Sequence, residues 1–218
     1  MGCWLAAVLL VGCTSELDGK PAAKVADAKG DASKADAGKT DAKPDTKVDA
    51  PAAAEKTFKV DATKSTIGFV GRKITGDHSG DFKTFDGEAK LAGNEPKAVS
   101  FTVETASVKA DADGLTDHLK SPDFFDVEKF PKATFTSTAI AAKTGTAGVT
   151  HEVTGDLDLH GAKKSITFPA SITVDERGAT GTAEFTINRK DFGIAYAGKP
   201  DDLIKDEVLL KLNLRFGS

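Results

Sequence analysis

Apolar and polar side chains alternate in short runs from Phe58 onward, and before that point they do not. Ile67 and Phe69 alternate with polar neighbours, and Phe101, Val103 and Thr105 stand between Ser100, Thr102 and Glu104. Ala133 and Phe135 follow, then Val153, Leu157 and Leu159 opposite Thr154, Asp156 and Asp158. Ile166, Phe168, Ile172 and Val174 continue the pattern, and Phe185 and Ile187 precede Asn188. Leu210, Leu212, Leu214 and Phe216 finish it opposite Lys211, Asn213 and Arg215. A period of two predicts strands with one face buried and the other wet. Gly71, Gly76, Gly80, Gly93, Gly145, Gly148, Gly161 and Gly178 punctuate these runs as turn or breaker positions. Many one-faced strands of this kind predict an all-β barrel or sandwich. One stretch, residues 114–126 (GLTDHLKSPDFFD), reads as a short helical interruption.

The chain before residue 57 has a different logic. Residues 4–11 (WLAAVLLV) form an apolar run too short to cross about 30 Å of hydrocarbon, so a signal-peptide core is the expectation. The following Gly12-Cys13 completes a segment, Leu10-Val11-Gly12-Cys13, that resembles the lipobox of bacterial lipoproteins. That resemblance implies removal of residues 1–12 and lipidation of Cys13, which would anchor the chain in the bacterial cell envelope, facing the periplasm. Thr14 rather than Asp after the cysteine leans toward the outer membrane. Residues 13–56 then read as the lipidated cysteine and a tether of Ala, Lys, Asp, Gly and Pro without aromatic residues. Such a composition buries too little apolar surface to offset the entropy of ordering, so disorder is expected. A flexible chain of this length spans roughly 35 Å on average.

Composition sharpens the reading of residues 57–218. The chain has 13 Phe but one Tyr and one Trp, an excess of large apolar rings with no polar atom to satisfy. The net charge of −4 is modest and mixed, which argues against nucleic acid as a partner. Both cysteines, Cys3 and Cys13, precede the folded region, so that region has no disulfide, thiolate metal site or cysteine nucleophile.

Several segments resemble one family. VSFTVETASVKADADGLTDHLKSPDFFDVEKFPKATFTST (99–138), VTGDLDLHGAKKSITFPA (153–170), INRKDFGI (187–194) and IKDEVLLKLNLRF (204–216) are similar to ordered motifs of the YceI-like, polyisoprenoid-binding proteins. The resemblance implies a lipocalin-like closed antiparallel barrel of about eight strands with one short helix. It implies an apolar tunnel holding a long-chain amphiphile, an isoprenoid, quinone or similar lipid, with no other cofactor. Homodimerisation is a further expectation from relatives. Phe69, Phe101, Val103, Leu119, Phe125, Phe135, Leu157, Phe168, Phe185 and Ile187 are the expected tunnel lining. Asp117, His118, Arg189 and Asp191 are the polar residues of the matching motifs. Arg189 could fork onto a polar head, or brace the helix to the late strands through an aspartate.

Catalysis and metal binding find little support. His151 and His160 are an odd number of residues apart, so one strand sets them on opposite faces. His78 and Ser79 are adjacent and point apart in a strand. Asp156 and Asp158 share a wet face opposite the leucines. The expectation is a binding protein rather than an enzyme. A tethered protein-interaction module with a filled core is the second reading, and a hydrolase the last.

Overall fold

The computed structural model describes residues 16–28 and 54–217. The expected signal peptide, Cys13 and tether residues 29–53 lie outside them. The elements in chain order are β1 (Lys24–Asp27), β2 (Glu55–Lys59), β3 (Thr66–Lys73), β4 (Asp77–Phe82), β5 (Phe85–Ala92), β6 (Glu95–Glu104) and β7 (Val108–Ala110). Helix α1 (Asp113–Lys120) follows, then β8 (Lys132–Ala142), β9 (His151–Leu159), β10 (Ala162–Asp175), β11 (Gly178–Asn188), β12 (Gly198–Lys199) and β13 (Asp202–Gly217).

The strands form one curled antiparallel sheet, a half-barrel with a hydrogen-bonded path β2-β5-β6-β8-β9-β10-β11-β13-β3-β4-β7. Eleven strands lie on this path, and the chain bends or turns briefly between β2 and β3, between β4 and β5, and, through a 3-10 turn at Thr105–Ser107, between β6 and β7. Asp61 makes the first bend, its carboxylate accepting from the Thr63 amide at 3.0 Å. Hydrogen bonds from Lys64 and Thr63 pull that carboxyl down to about 2. The sixteen-residue β13 pairs with β11 along one edge and with β3 along the other.

The alternation read from sequence holds in most strands. Phe135, Leu157, Ile166, Phe168, Phe185, Ile187, Leu214 and Phe216 are all buried. Helix α1 is shorter than expected because Ser121, ahead of Pro122, takes an extended conformation (ψ 169°), which ends the helix at Lys120.

The tether expectation needs correction at both ends. Glu55 and Lys56 belong to β2, and residues 16–28 pack on the sheet rather than hanging free. β1 pairs antiparallel with β10, and Leu17 is buried against Val70 and Leu209. The composition argument missed this because a few contacts, backbone pairing and one leucine, suffice when the partner surface is already folded.

Candidate functional site

The strands bring their inward residues around two adjoining apolar chambers. The larger, of about 170 Å³, lies at the end closed by α1. Phe69 on β3, Phe82 on β4 and Phe125 after α1 meet there, with ring centroids 5.4–6.4 Å apart. Leu119 and Phe124 come down from the helix and the turn after it, both buried. That turn is locally built: Ser121 Oγ donates to the His118 carbonyl at 2.7 Å, and Asp126 takes a positive φ of 46°. Among the residues lining this chamber only Thr134 and Arg189 carry polar side chains.

The smaller chamber, about 60 Å³, lies toward the other end. Its space comes from small side chains, Ala89, Ala98, Ala170, Ala179, Gly181 and Ala183, and Thr182 alone among its lining residues bears a polar group. Phe101, Phe135, Phe168 and Leu212 line both chambers. Phe101 stacks on Phe135 at 5.2 Å, Phe135 meets Phe168 at 5.6 Å, and Phe168 stacks on Phe185 at 4.1 Å. Phe101, Phe135 and Phe168 form a waist between the chambers, with Phe185 behind Phe168 on the larger chamber's side.

All ten residues expected to line a tunnel line the larger chamber. The sequence reading missed Phe82, Ile194, Ile204 and Val208 of the same wall, and the whole Ala/Gly-walled chamber. An alternation of alanines carries little hydrophobic contrast, so that chamber left no clear signal.

The polar motif residues do not converge. Asp117 and Asp191 are exposed. His118 pairs with Asp123 at 2.9 Å and packs its ring against Phe124 and Tyr196. Arg189 is buried (4% exposed) in a 3-10 turn opened by Asn188, whose side chain accepts from the Lys190 amide at 2.9 Å. Its guanidinium donates to the carbonyls of Ile194 (2.7 Å), Lys205 (3.1 Å) and Ile204 (3.4 Å), and to Asp206 Oδ1 at 3.3 Å. Burial pulls the Arg189 pKa down, and the Asp206 charge opposes that. The brace therefore ties the turn to the start of β13 through Asp206, not to the helix through Asp117. Lys73 at the exit of β3 is held by Asp202 at 2.7 Å.

The other candidate groups act locally. Asp111 holds His78 Nδ1 at 3.0 Å and accepts from the Ser79 amide at 2.9 Å, which together keep its carboxyl below the ordinary carboxylate range. His151 opens β9, and His160 lies just past its end in the turn to β10. Among the described residues no three His, Cys, Asp or Glu side chains gather as a metal site.

Comparison with known proteins places this geometry. The YceI-like domain family matches residues 58–216. A UPF0312 protein of Pseudomonas putida (strain W619) is 38% identical over 127 residues, 55% of this chain and 65% of its own length. The chain thus spans slightly less than two thirds of that relative. A UPF0312 protein of Pseudomonas fluorescens (strain SBW25) is 33% identical over 140 residues, 61% of this chain and 71% of its own. Among solved structures, Burkholderia cenocepacia BcnA superposes with a TM-score of 0.61 at 27% identity, covering 71% of this chain and 98% of its own. A polyisoprenoid binding domain from Saccharophagus degradans has the same fold, with a TM-score of 0.57 at 18% identity over 74% of this chain and 98% of its own.

Proposed function

Since the chain belongs to the YceI-like domain family, we propose that it binds a long-chain amphiphilic lipid, a polyisoprenoid, quinone or similar molecule, with the tail in the divided cavity. One observation carries this reading: two adjoining chambers, with four lining residues in common, whose walls expose almost nothing but hydrocarbon and aromatic carbon. Such a space favours a tail by roughly 0.8 kcal/mol per buried CH₂, and it offers water few partners. The polyisoprenoid binding named for the Saccharophagus degradans domain of the same fold supports the ligand class.

The wall is read as eight staves, β2/β3, β4/β5, β6/β7, β8, β9, β10, β11 and β13, closed on itself. Support comes from Val60, which follows β2 and bridges Phe216 of β13, and from the Asp61 amide donating to the Arg215 carbonyl at 2.8 Å. Closure removes free sheet edges around the ligand. Anchored through Cys13 in the envelope, as the lipobox suggests, the protein acts as a carrier, store or sink for its lipid.

The test is native mass spectrometry of the chain carrying Cys13→Ser, purified from a bacterial periplasm, followed by solvent extraction. A stoichiometric hydrophobic adduct, identified after release, is expected. A bare protein mass that stays bare after incubation with a prenyl alcohol and a quinone would refute lipid binding and turn attention to protein partners.

A further inference from the structure

The wall parts within the β10–β11 hairpin. β10 and β11 are consecutive strands joined by a tight turn, and they pair from Asp175↔Gly178 as far as Ser171↔Thr182. Continued, that register would set Thr167 opposite Thr186. Instead Thr167 is paired with Lys24 of β1, and Thr186 bridges Ala22 in the parallel sense. The Ala23 amide donates to the Thr186 carbonyl at 2.8 Å, and the Thr186 amide donates to the Pro21 carbonyl at 2.9 Å. Residues 21–27 thus run between two strands that the chain's own hairpin leaves apart.

This inserted segment packs behind residues that line the cavity. Val25, opposite Ile166, and Ala23 pack against the buried cluster that includes Phe168, Phe185 and Ile187. Phe168 and Phe185 stack across the seam, and Phe168 belongs to the waist between the chambers. The seam therefore lies level with the point where the two chambers meet.

The insert is also short and lightly held. β1 has four residues, three of them exposed, against sixteen in β13. The strand and the segment before it are held by ion pairs between exposed or partly exposed groups, Asp27 with Lys164, Lys20 with Glu184, and Glu16 with Lys211. Pairs of that kind contribute little each. Segments with few buried apolar contacts open at low free energy, well before the strands around them.

We propose that the gap between β10 and β11 is a strand-acceptor site filled by the chain's own residues 21–27, and that their withdrawal opens a side portal to the cavity at its waist. A prenyl or acyl tail then enters sideways between β10 and β11, without threading past α1. The portal rests on the lipid-binding reading, while the mobility of the inserted strand does not.

The test locks the insert. Ala26 and Ser165 are directly paired, so Ala26→Cys with Ser165→Cys, in the full chain carrying Cys3→Ser and Cys13→Ser, gives a reducible staple. The probe is cis-parinaric acid, followed by its fluorescence on entering an apolar site. Oxidation is expected to slow uptake by about tenfold or more, because the local opening is blocked, with the affinity unchanged and the rate restored by dithiothreitol. Ala26→Pro, which removes a backbone donor, is expected to speed uptake. Equal rates in the oxidised, reduced and Ala26→Pro proteins would overturn the portal. Should no variant take up the probe, the lipid reading fails by itself. Amide exchange at Ala23 and Thr186 then decides the remainder: exchange much faster than in β9 sustains a removable strand, and equal protection overturns it.

Discussion

The two chambers reach the same property, an apolar space, by opposite means. At the α1 end the space is what remains between large rings, and those rings are supported from behind. Gly80, opposite Phe69 on the neighbouring strand, has no room for a Cβ, which would stand 2.4 Å from Phe69 Cζ and 2.8 Å from the Lys109 carbonyl oxygen. In the other chamber the space exists because alanines and Gly181 stop short, and a Cβ on Gly181 would meet nothing within 4 Å. The first chamber is thus shaped by packing and should resist change, whereas the second is shaped by omission and should accept it.

The most damaging way to break this contrast is at the waist. Phe135→Ala removes a ring that is 1% exposed and lines both chambers, so a loss of roughly 3–5 kcal/mol is expected from the denaturant midpoint. A loss below about 1 kcal/mol would mean that the waist is not a packed partition. Next come the two glycines compared directly. Gly80→Ala should cost about 1–3 kcal/mol through overpacking. Gly181→Ala should be neutral or stabilise by up to about 1 kcal/mol, through the less flexible unfolded chain. Equal thermal shifts for the pair would erase the distinction between the chambers.

A smaller effect sharpens it functionally. Ala183→Leu fills the smaller chamber with little loss of stability. It should leave short-tailed amphiphiles bound as before and weaken long-tailed ones by roughly 0.8 kcal/mol for each CH₂ displaced. Titrations across a tail-length series would show this, and uniform weakening would place the tail elsewhere. The slightest effect concerns the inserted strand. Hydrogen bonding and charge from Lys164 hold the Asp27 carboxyl below its ordinary 3.8. Its contribution is therefore present above that pH and lost as the pH falls through the lowered value. Amide exchange at Ala23, corrected for its intrinsic rate, should quicken below about pH 4 before the rest of the sheet responds, and less so in high salt.

The strands were legible in the sequence because a half-buried strand must alternate. Phe69, Val103, Phe135, Leu157 and Phe185 could be assigned to an interior from spacing alone, and the family resemblance turned that interior into an expected tunnel. Four things were not legible. Leu209 and Val70 break the alternation and face outward, and only the tertiary structure brings Leu17 to cover them. Arg189 finds Asp206 and three carbonyls rather than the aspartates nearest it in the motif, since backbone acceptors have no sequence signature. The smaller chamber depends on alanines from several strands meeting at one level, which no local window contains. The insertion of residues 21–27 was hidden for the same reason: its partners, Thr167 and Thr186, lie far along the chain. Sequence determines which face of each strand avoids water, a local property of side-chain transfer. Which strands meet, where they part and what fills the gap depend on pairing across long separations, and only the folded chain decides them.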